Sequence, residues 1–191
     1  LDTRAPTVSA VDPADDANAV AIASDITLTF SEAVQRGSGT IVLKTQGGAT
    51  VATYDAATSA NLAVSGDTLT INPSANLAYS TGYKLEFTAG SIRDLAGNAY
   101  AGSTSYNFTT VAPPDTTAPT VVITDNTPGT ATGNVTYSLA FSEVVIGLAA
   151  NDFTLTNGGV LSVSGSGTGY TVVVAPSANT EGTLSLALKA G

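Results

Sequence analysis

Asp2-Thr-Arg-Ala-Pro-Thr7 returns 113 residues later as Asp115-Thr-Thr-Ala-Pro-Thr120, and a chain that restarts its own sequence in this way is expected to fold as two copies of one unit. Three further pairs keep the order: Phe30-Ser-Glu32 with Phe141-Ser-Glu143, Pro73-Ser-Ala-Asn76 with Pro176-Ser-Ala-Asn179, and Ala89-Gly90 with Ala190-Gly191. The offsets fall from 113 to 111, 103 and 101, which predicts a shorter middle section in the second copy. Between the copies, Val111-Ala-Pro-Pro114 can neither continue a helix nor donate to a central strand. It reads as a stiff extended connector between two domains, residues 1–112 and 113–191, lying end to end with a small direct interface. Past Gly90 the first copy continues with Ser91-Ile-Arg-Asp-Leu-Ala-Gly-Asn98 and a strand-like Ser105-Tyr-Asn-Phe-Thr-Thr110, and the second copy has no counterpart of either.

Within each copy the dominant signal is two-residue alternation. Ile26-Thr-Leu-Thr-Phe30 places Ile, Leu and Phe on one face and Thr on the other, as a half-buried strand requires. Thr40–Lys44, Thr50–Tyr54, Thr68–Ile71, Tyr83–Phe87 and Tyr106–Phe108 follow in the first copy. Thr120–Thr124, Val135–Phe141, Asp152–Thr156, Tyr170–Ala175 and Thr183–Leu188 follow in the second. Turn signals such as Gln46-Gly-Gly48, Ser65-Gly-Asp67, Asn157-Gly-Gly159 and Gly165-Ser-Gly-Thr-Gly169 separate them. Short strands at this spacing predict antiparallel sandwiches, with at most one helical turn at Asp55–Ala60.

Composition removes several function classes. Charged residues are only 11% of the chain against a usual ~25%, so the polar surface has to come from Thr, Ser, Asn and backbone, while 43% hydrophobic residues suffice for a core. The net charge of −9 disfavours nucleic acid and anionic membrane surfaces and suits cations. With no Cys and no His, disulfides, thiolate metal sites and the usual nucleophile–base pairs are excluded, and the acids show no spacing that singles out a catalytic dyad. Gly165–Gly169 is not followed by a helix that would make it a phosphate loop. No apolar run is long enough for a transmembrane helix, and Leu1 in place of an initiator Met reads as a piece of a longer chain. The expectation is a non-enzymatic protein.

The Asp-Thr-x-Ala-Pro-Thr openings, the Phe-Ser-Glu after the second strand of each copy and Asp94-Leu-Ala-Gly-Asn98 resemble the bacterial immunoglobulin-like (Big-type) repeats found in tandem in large surface adhesins and secreted multidomain proteins. The resemblance covers essentially the whole chain. It implies an all-β fold of two tandem immunoglobulin-like antiparallel β-sandwiches, the second lacking its last strand because copy two stops before the family's Asp-x-Ala-Gly-Asn loop. It also implies an extracellular or cell-surface location, neighbouring immunoglobulin-like repeats as partners, a stalk or spacer role, and calcium held at the joints between domains.

In such a sandwich the N-terminus, the loop after the second strand and the loop before the last strand share one end. That end would gather Asp2, Glu32, Asp94 and Asn98 in copy one, and Asp115 and Glu143 in copy two. Clustered carboxylates repel, and a calcium-type divalent cation would relieve the repulsion. Asp94 also fits an ordinary Asx turn onto its own Gly-Asn, and Asp12-Pro-Ala-Asp-Asp16 reads either as a run that wraps a cation through several carboxylate oxygens or as a solvated turn after the first strand. The rival reading is a carbohydrate- or protein-binding accessory domain of a secreted enzyme, with Tyr54, Tyr79, Tyr100 and Tyr170 as the aromatic platforms available. Two subsidiary expectations are that Lys44 and Lys84 point outward and form no isopeptide bond, and that copy two, short of a strand, is the less stable domain or exchanges a strand with another copy.

Overall fold

A computed structural model describes residues 2–126, 129–178 and 181–189; Asn179, Ala190 and Gly191 of the repeat anchors lie outside the described residues. The chain divides into two units, residues 1–114 and 115–191.

Unit 1 is a sandwich of strands β1 (Val8–Asp12), β2 (Ala17–Val20), β3 (Ile26–Phe30), β4 (Val34–Arg36), β5 (Thr40–Thr45), β6 (Thr50–Asp55), β7 (Leu62–Ser65), β8 (Thr68–Ile71), β9 (Gly82–Phe87), β10 (Ile92–Asp94) and β11 (Asn107–Thr110). One sheet runs β1-β3-β8-β7, the other β2-β11-β9-β5-β6, and β4 pairs with β10 at one end. The alternation read from the sequence sets the layers. Ile26, Leu28 and Phe30 face inward from one sheet; Ile41, Leu43, Leu85 and Phe108 meet them from the other, all buried. Each such side chain contributes roughly 1.5–3 kcal/mol by leaving water.

The sheets are antiparallel with one exception, the parallel pairing of β11 with β2. It arises because the N-terminal strand is divided between the layers: β1 pairs with β3 in one sheet, and after Asp12–Asp16 the chain joins the other sheet as β2. The Asp12–Asp16 run builds this crossing. The Tyr106 hydroxyl donates to the Pro13 carbonyl (2.6 Å), and the Asp15 and Asp16 carboxylates accept from Asn107 (3.0 and 2.9 Å).

Asp55–Ala60 is a hydrogen-bonded turn rather than a helix, in which Asp55 accepts from the Ala57 and Thr58 N–H groups. Lys44 and Lys84 stand outward as expected, both reaching Glu86 (2.6 and 3.1 Å).

Unit 2 contains β12 (Val121–Asp125), β13 (Val135–Val145), a 3₁₀ turn (Ala150–Asp152), β14 (Phe153–Thr156), β15 (Gly158–Pro176) and β16 (Ser185–Leu188). Its sheets are β12-β13-β15 and β14-β16. β15 folds back on itself. Ser177 N–H donates to the Asn157 carbonyl (2.9 Å), and a side chain on Gly165, at φ +121°, would strike Gly169 and Tyr170. The doubled β15 thus corresponds to the β7–β8 hairpin, β13 to β3 continued into β4, and the β14–β16 pair to β5–β9. Registers agree, with Ile41 opposite Phe87 and Leu43 opposite Leu85 in unit 1, and Phe153 opposite Leu188 and Leu155 opposite Leu186 in unit 2. In unit 1 β9 is flanked by β5 and β11, whereas among the described residues of unit 2 β16 pairs with β14.

Candidate metal centre

The same clamp organises the entrance of each unit. In unit 1, Thr7 N–H donates to the Ser31 hydroxyl (3.1 Å) and Ser31 N–H to the Thr7 carbonyl (2.8 Å). In unit 2, Thr120 and Ser142 repeat the pair at 3.0 and 2.9 Å. The clamp ties the opening segment to Ser31, just past β3, and to Ser142, within β13, so the acids that flank it are brought together. Each opening Asp also turns its own backbone: Asp2 accepts from Arg4 N–H and Asp115 from Thr117 N–H, both at 2.9 Å.

The third contributor in unit 1 is β10, which pairs with β4 so that Asp94 lies opposite Val34. Asp94 is 1% exposed. Its two carboxylate oxygens accept from Asn98, one from the backbone N–H (2.7 Å) and one from the side-chain amide (2.6 Å). Gly97, at φ +96°, lets the chain turn back within this five-residue loop, and Arg93 fastens the Gly97 carbonyl (2.9 Å). The Gln35 side chain donates to the Asp94 carbonyl (2.7 Å), so the turn is fixed to β4 as well.

Asp2, Glu32 and Asp94 each offer a carboxylate oxygen within 4.8 Å of the others. Asn98 joins them, its amide also reaching the Asp2 carbonyl (3.3 Å). The four residues named from the sequence in copy one therefore lie together. Electrostatics follow from the crowding. Burial pushes the Glu32 carboxyl up, the charges of Asp2 and Asp94 push it further, and Arg4 only partly offsets them. For Asp94 burial is the largest influence and acts upward, but the Asn98 side chain and the N–H groups of Asn98, Gly97 and Ala96 outweigh it and hold the carboxyl below its ordinary value. One carboxylate is thus favoured in its charged form by donors, beside another whose ionisation is opposed by burial and by its acidic neighbours.

In unit 2, Asp115 is held low chiefly by Thr117 N–H, with burial opposing and the Thr117 side chain, Glu143 and Thr116 N–H as lesser contributors. Glu143 Oε1 is shut off from solvent and meets no hydrogen-bond donor among the described residues. These two are hydrogen-bonded to each other, but among the described residues no third acid joins them there. The oxygens fit to hold a cation are the carboxylates of Asp2, Glu32 and Asp94, with Asp115 and Glu143 as a partial set. Hard divalent ions of the calcium type take six to eight such oxygens, so backbone and water would complete the shell.

A family model described as "Bacterial Ig-like domain" matches residues 2–110, and a second model of the same description matches residues 115–191. The chain is a tandem of bacterial Ig-like domains. Such Ig-like domains are generally non-catalytic and typical of extracellular or surface proteins. Among solved structures, the crystal structure of CopC from Methylosinus trichosporium OB3b is similar at 17% identity and a TM-score of 0.43, covering 58% of this chain and 97% of that one. No curated protein matches the chain. No helix among the described residues is long and apolar enough to cross a membrane.

Sequence reasoning missed parts of how the Ig-like domains assemble these residues. Gln35 carries no motif, and only its position opposite β10 reveals its hold on Asp94. The aromatic platforms of the rival reading are corrected: Tyr54, Tyr100 and Tyr170 are core side chains, and of the four only Tyr79 is exposed. The tyrosines sit on the inward phase of their strands or against Phe30 and Phe141, edge to face at 5.4 and 5.9 Å, and burying the ring is worth more than offering it to a ligand.

Proposed function

We propose that the tandem is a non-enzymatic spacer segment of a large bacterial surface adhesin, with neighbouring Ig-like repeats on the same chain and with calcium bound at the entrance of each domain stiffening the connector. The observation that carries this reading is the meeting of Asp2, Glu32 and Asp94, from three distant points of the sequence, within 4.8 Å at the segment through which the chain enters the domain. A spacer needs each domain to stand on its own core and its entrance to be held. The hydrophobic interiors supply the first requirement, and the Thr–Ser clamp and the acids supply the second.

In this reading Asp115 has a double role, since it follows Pro114 directly and is also the first acid of the second domain. An ion shared by Asp115, Glu143 and neighbouring carbonyls would draw the connector onto the second domain without altering either core. Limited proteolysis of residues 111–120 in the intact chain tests this. Cleavage should slow on adding millimolar calcium and recover in Asp115→Ala, with both domains still folded. Equal cleavage with calcium and with chelator would reduce the segment to a spacer whose stiffness comes from proline alone.

A further inference from the structure

The word Pro73-Ser-Ala-Asn76 has no part in the entrance of unit 1, and it forms one wall of a cavity there. Residues 73–78 face the inward side chains Leu43 of β5, Ala52 and Tyr54 of β6 and Tyr83 of β9, and enclose about 290 Å³ with them. β6 is the edge strand of its sheet, and the two-stranded β14–β16 sheet of unit 2 has no counterpart of it among the described residues. The wall is pinned at its ends. Asn72 N–H donates to the Asn61 carbonyl (2.8 Å) ahead of it, and behind it Leu77 N–H donates to the Ile22 carbonyl (2.8 Å) and Ala78 N–H to the Tyr83 hydroxyl (2.9 Å). Between these anchors, residues 74–76 make no hydrogen bond to other described residues.

The lining holds no carboxylate, Lys or Arg. Its one buried side-chain oxygen without a partner is the Tyr54 hydroxyl. Tyr54 is 3% exposed, and its oxygen is shut off from solvent and bonded by no described residue. Burial pushes its pKa above the ordinary tyrosine value, so the hydroxyl keeps its proton and needs an acceptor. Leaving such a group unpaired costs about 1–3 kcal/mol, and phenylalanine would fill the same place without that cost. Val51, exposed at the rim, continues the apolar surface outward.

We propose that this cavity binds a small uncharged molecule with a compact apolar body and one carbonyl or hydroxyl oxygen, which accepts from the Tyr54 hydroxyl. Charge is excluded because an ion in this lining would lose its water and meet no counter-charge. Size follows from the volume: an apolar cavity of about 150 Å³ already holds benzene, so this one takes a single substituted ring. An occupant without an oxygen would leave the hydroxyl unpaired, and water would pair it but leave the apolar walls wet. To reach Tyr54 the ligand has to move residues 74–76, the part of the wall that no hydrogen bond holds. The acids of the entrance take no part, so the site is independent of calcium.

The test is an NMR titration of the intact chain with two probes of one ring size, cyclohexanone and cyclohexene, read at the backbone amides of Ala52–Tyr54 and of residues 74–78. Cyclohexanone should shift these amides saturably and bind roughly two- to tenfold more tightly than cyclohexene, the factor that one neutral hydrogen bond supplies. Tyr54→Phe should erase that preference and leave unit 1 at least as stable, because the hydroxyl removed has no partner in the protein. Ala52→Leu should fill the cavity and abolish the shifts for both probes. Absence of saturable shifts at tens of millimolar cyclohexanone would overturn the proposal. So would equal affinity for the two probes, or a preference for the ketone that survives Tyr54→Phe.

Discussion

Leu85 and Leu186 occupy equivalent positions, each opposite an inward leucine of the neighbouring strand, yet Leu85 is fully buried and Leu186 half-exposed. Elsewhere in the same units the Thr7–Ser31 and Thr120–Ser142 clamps agree to about a tenth of an ångström. The two domains share their entrance and differ in their cover. Hydrogen bonds between residues close to the repeated words are reproduced faithfully, because each needs only two residues and a turn. Burial of a strand face needs a layer on both flanks, and it is lost wherever one flank is missing.

The largest expected contrast follows directly. Leu85→Ala should destabilise unit 1 by about 2–5 kcal/mol, as for other buried leucines, whereas Leu186→Ala should cost unit 2 only about 1–2 kcal/mol because much of that side chain is already wet. Hydrogen exchange during urea titration of the intact chain resolves the units separately. Equal losses would mean that β16 is covered as well as β9.

Next in size is the Asp94 turn, which unit 2 lacks among its described residues. Asn98→Ala should cost unit 1 about 1–3 kcal/mol, since it removes the donor to one oxygen of a buried carboxylate, and should leave the midpoint of unit 2 unmoved. A shift in both midpoints would show the units to be coupled. The clamps sharpen the comparison from the other side. Ser31→Ala and Ser142→Ala should each cost about 0.5–1.5 kcal/mol and by equal amounts, within error, because the bond removed is the same.

Much of this was legible in the sequence, and the reasons are local. Ile26–Phe30 and Val135–Phe141 announce themselves as strands because alternation is imposed by the pleat at every second residue, whatever lies across the core. Asp2, Glu32, Asp94 and Asn98 could be grouped because loops at one end of a sandwich are neighbours by topology. The parallel β2–β11 pair was not legible, since Ala17–Val20 is a short, mostly exposed strand whose partner is set by the crossing at Asp12–Asp16. The doubling of β15 was only half legible, because the Gly165–Gly169 signal marks the turn while Gly158–Val163 lacks a clean polar face. The burial of Tyr54, Tyr100 and Tyr170 depends on ring packing across layers, which no spacing encodes.

The smallest effects are electrostatic. Folding raises the pKa of Glu32, so unit 1 carries a penalty when this group is ionised, and the penalty is relieved as pH falls through the raised value. Asp94 and Asp115 have lowered values, so their stabilising contribution is present above the ordinary aspartate range and is lost as pH falls through the lowered ones. Without calcium, mild acidification should therefore first ease the crowding at Glu32 and only later weaken both entrances. With calcium, protons compete for Glu32, so the apparent affinity should begin to fall while the pH is still above the ordinary glutamate value. A pH-independent affinity would remove Glu32 from the ligand set.

The most direct measurement is a calorimetric titration of calcium into the intact chain, alongside the Asp2→Asn, Glu32→Gln double variant. Saturable uptake by the parent chain is expected, with unit 1 binding abolished in the double variant while exchange at the core amides of β3 and β8 stays unchanged. Absence of any binding at millimolar calcium, or undiminished binding by the double variant, would contradict a calcium-held entrance built on Asp2, Glu32 and Asp94.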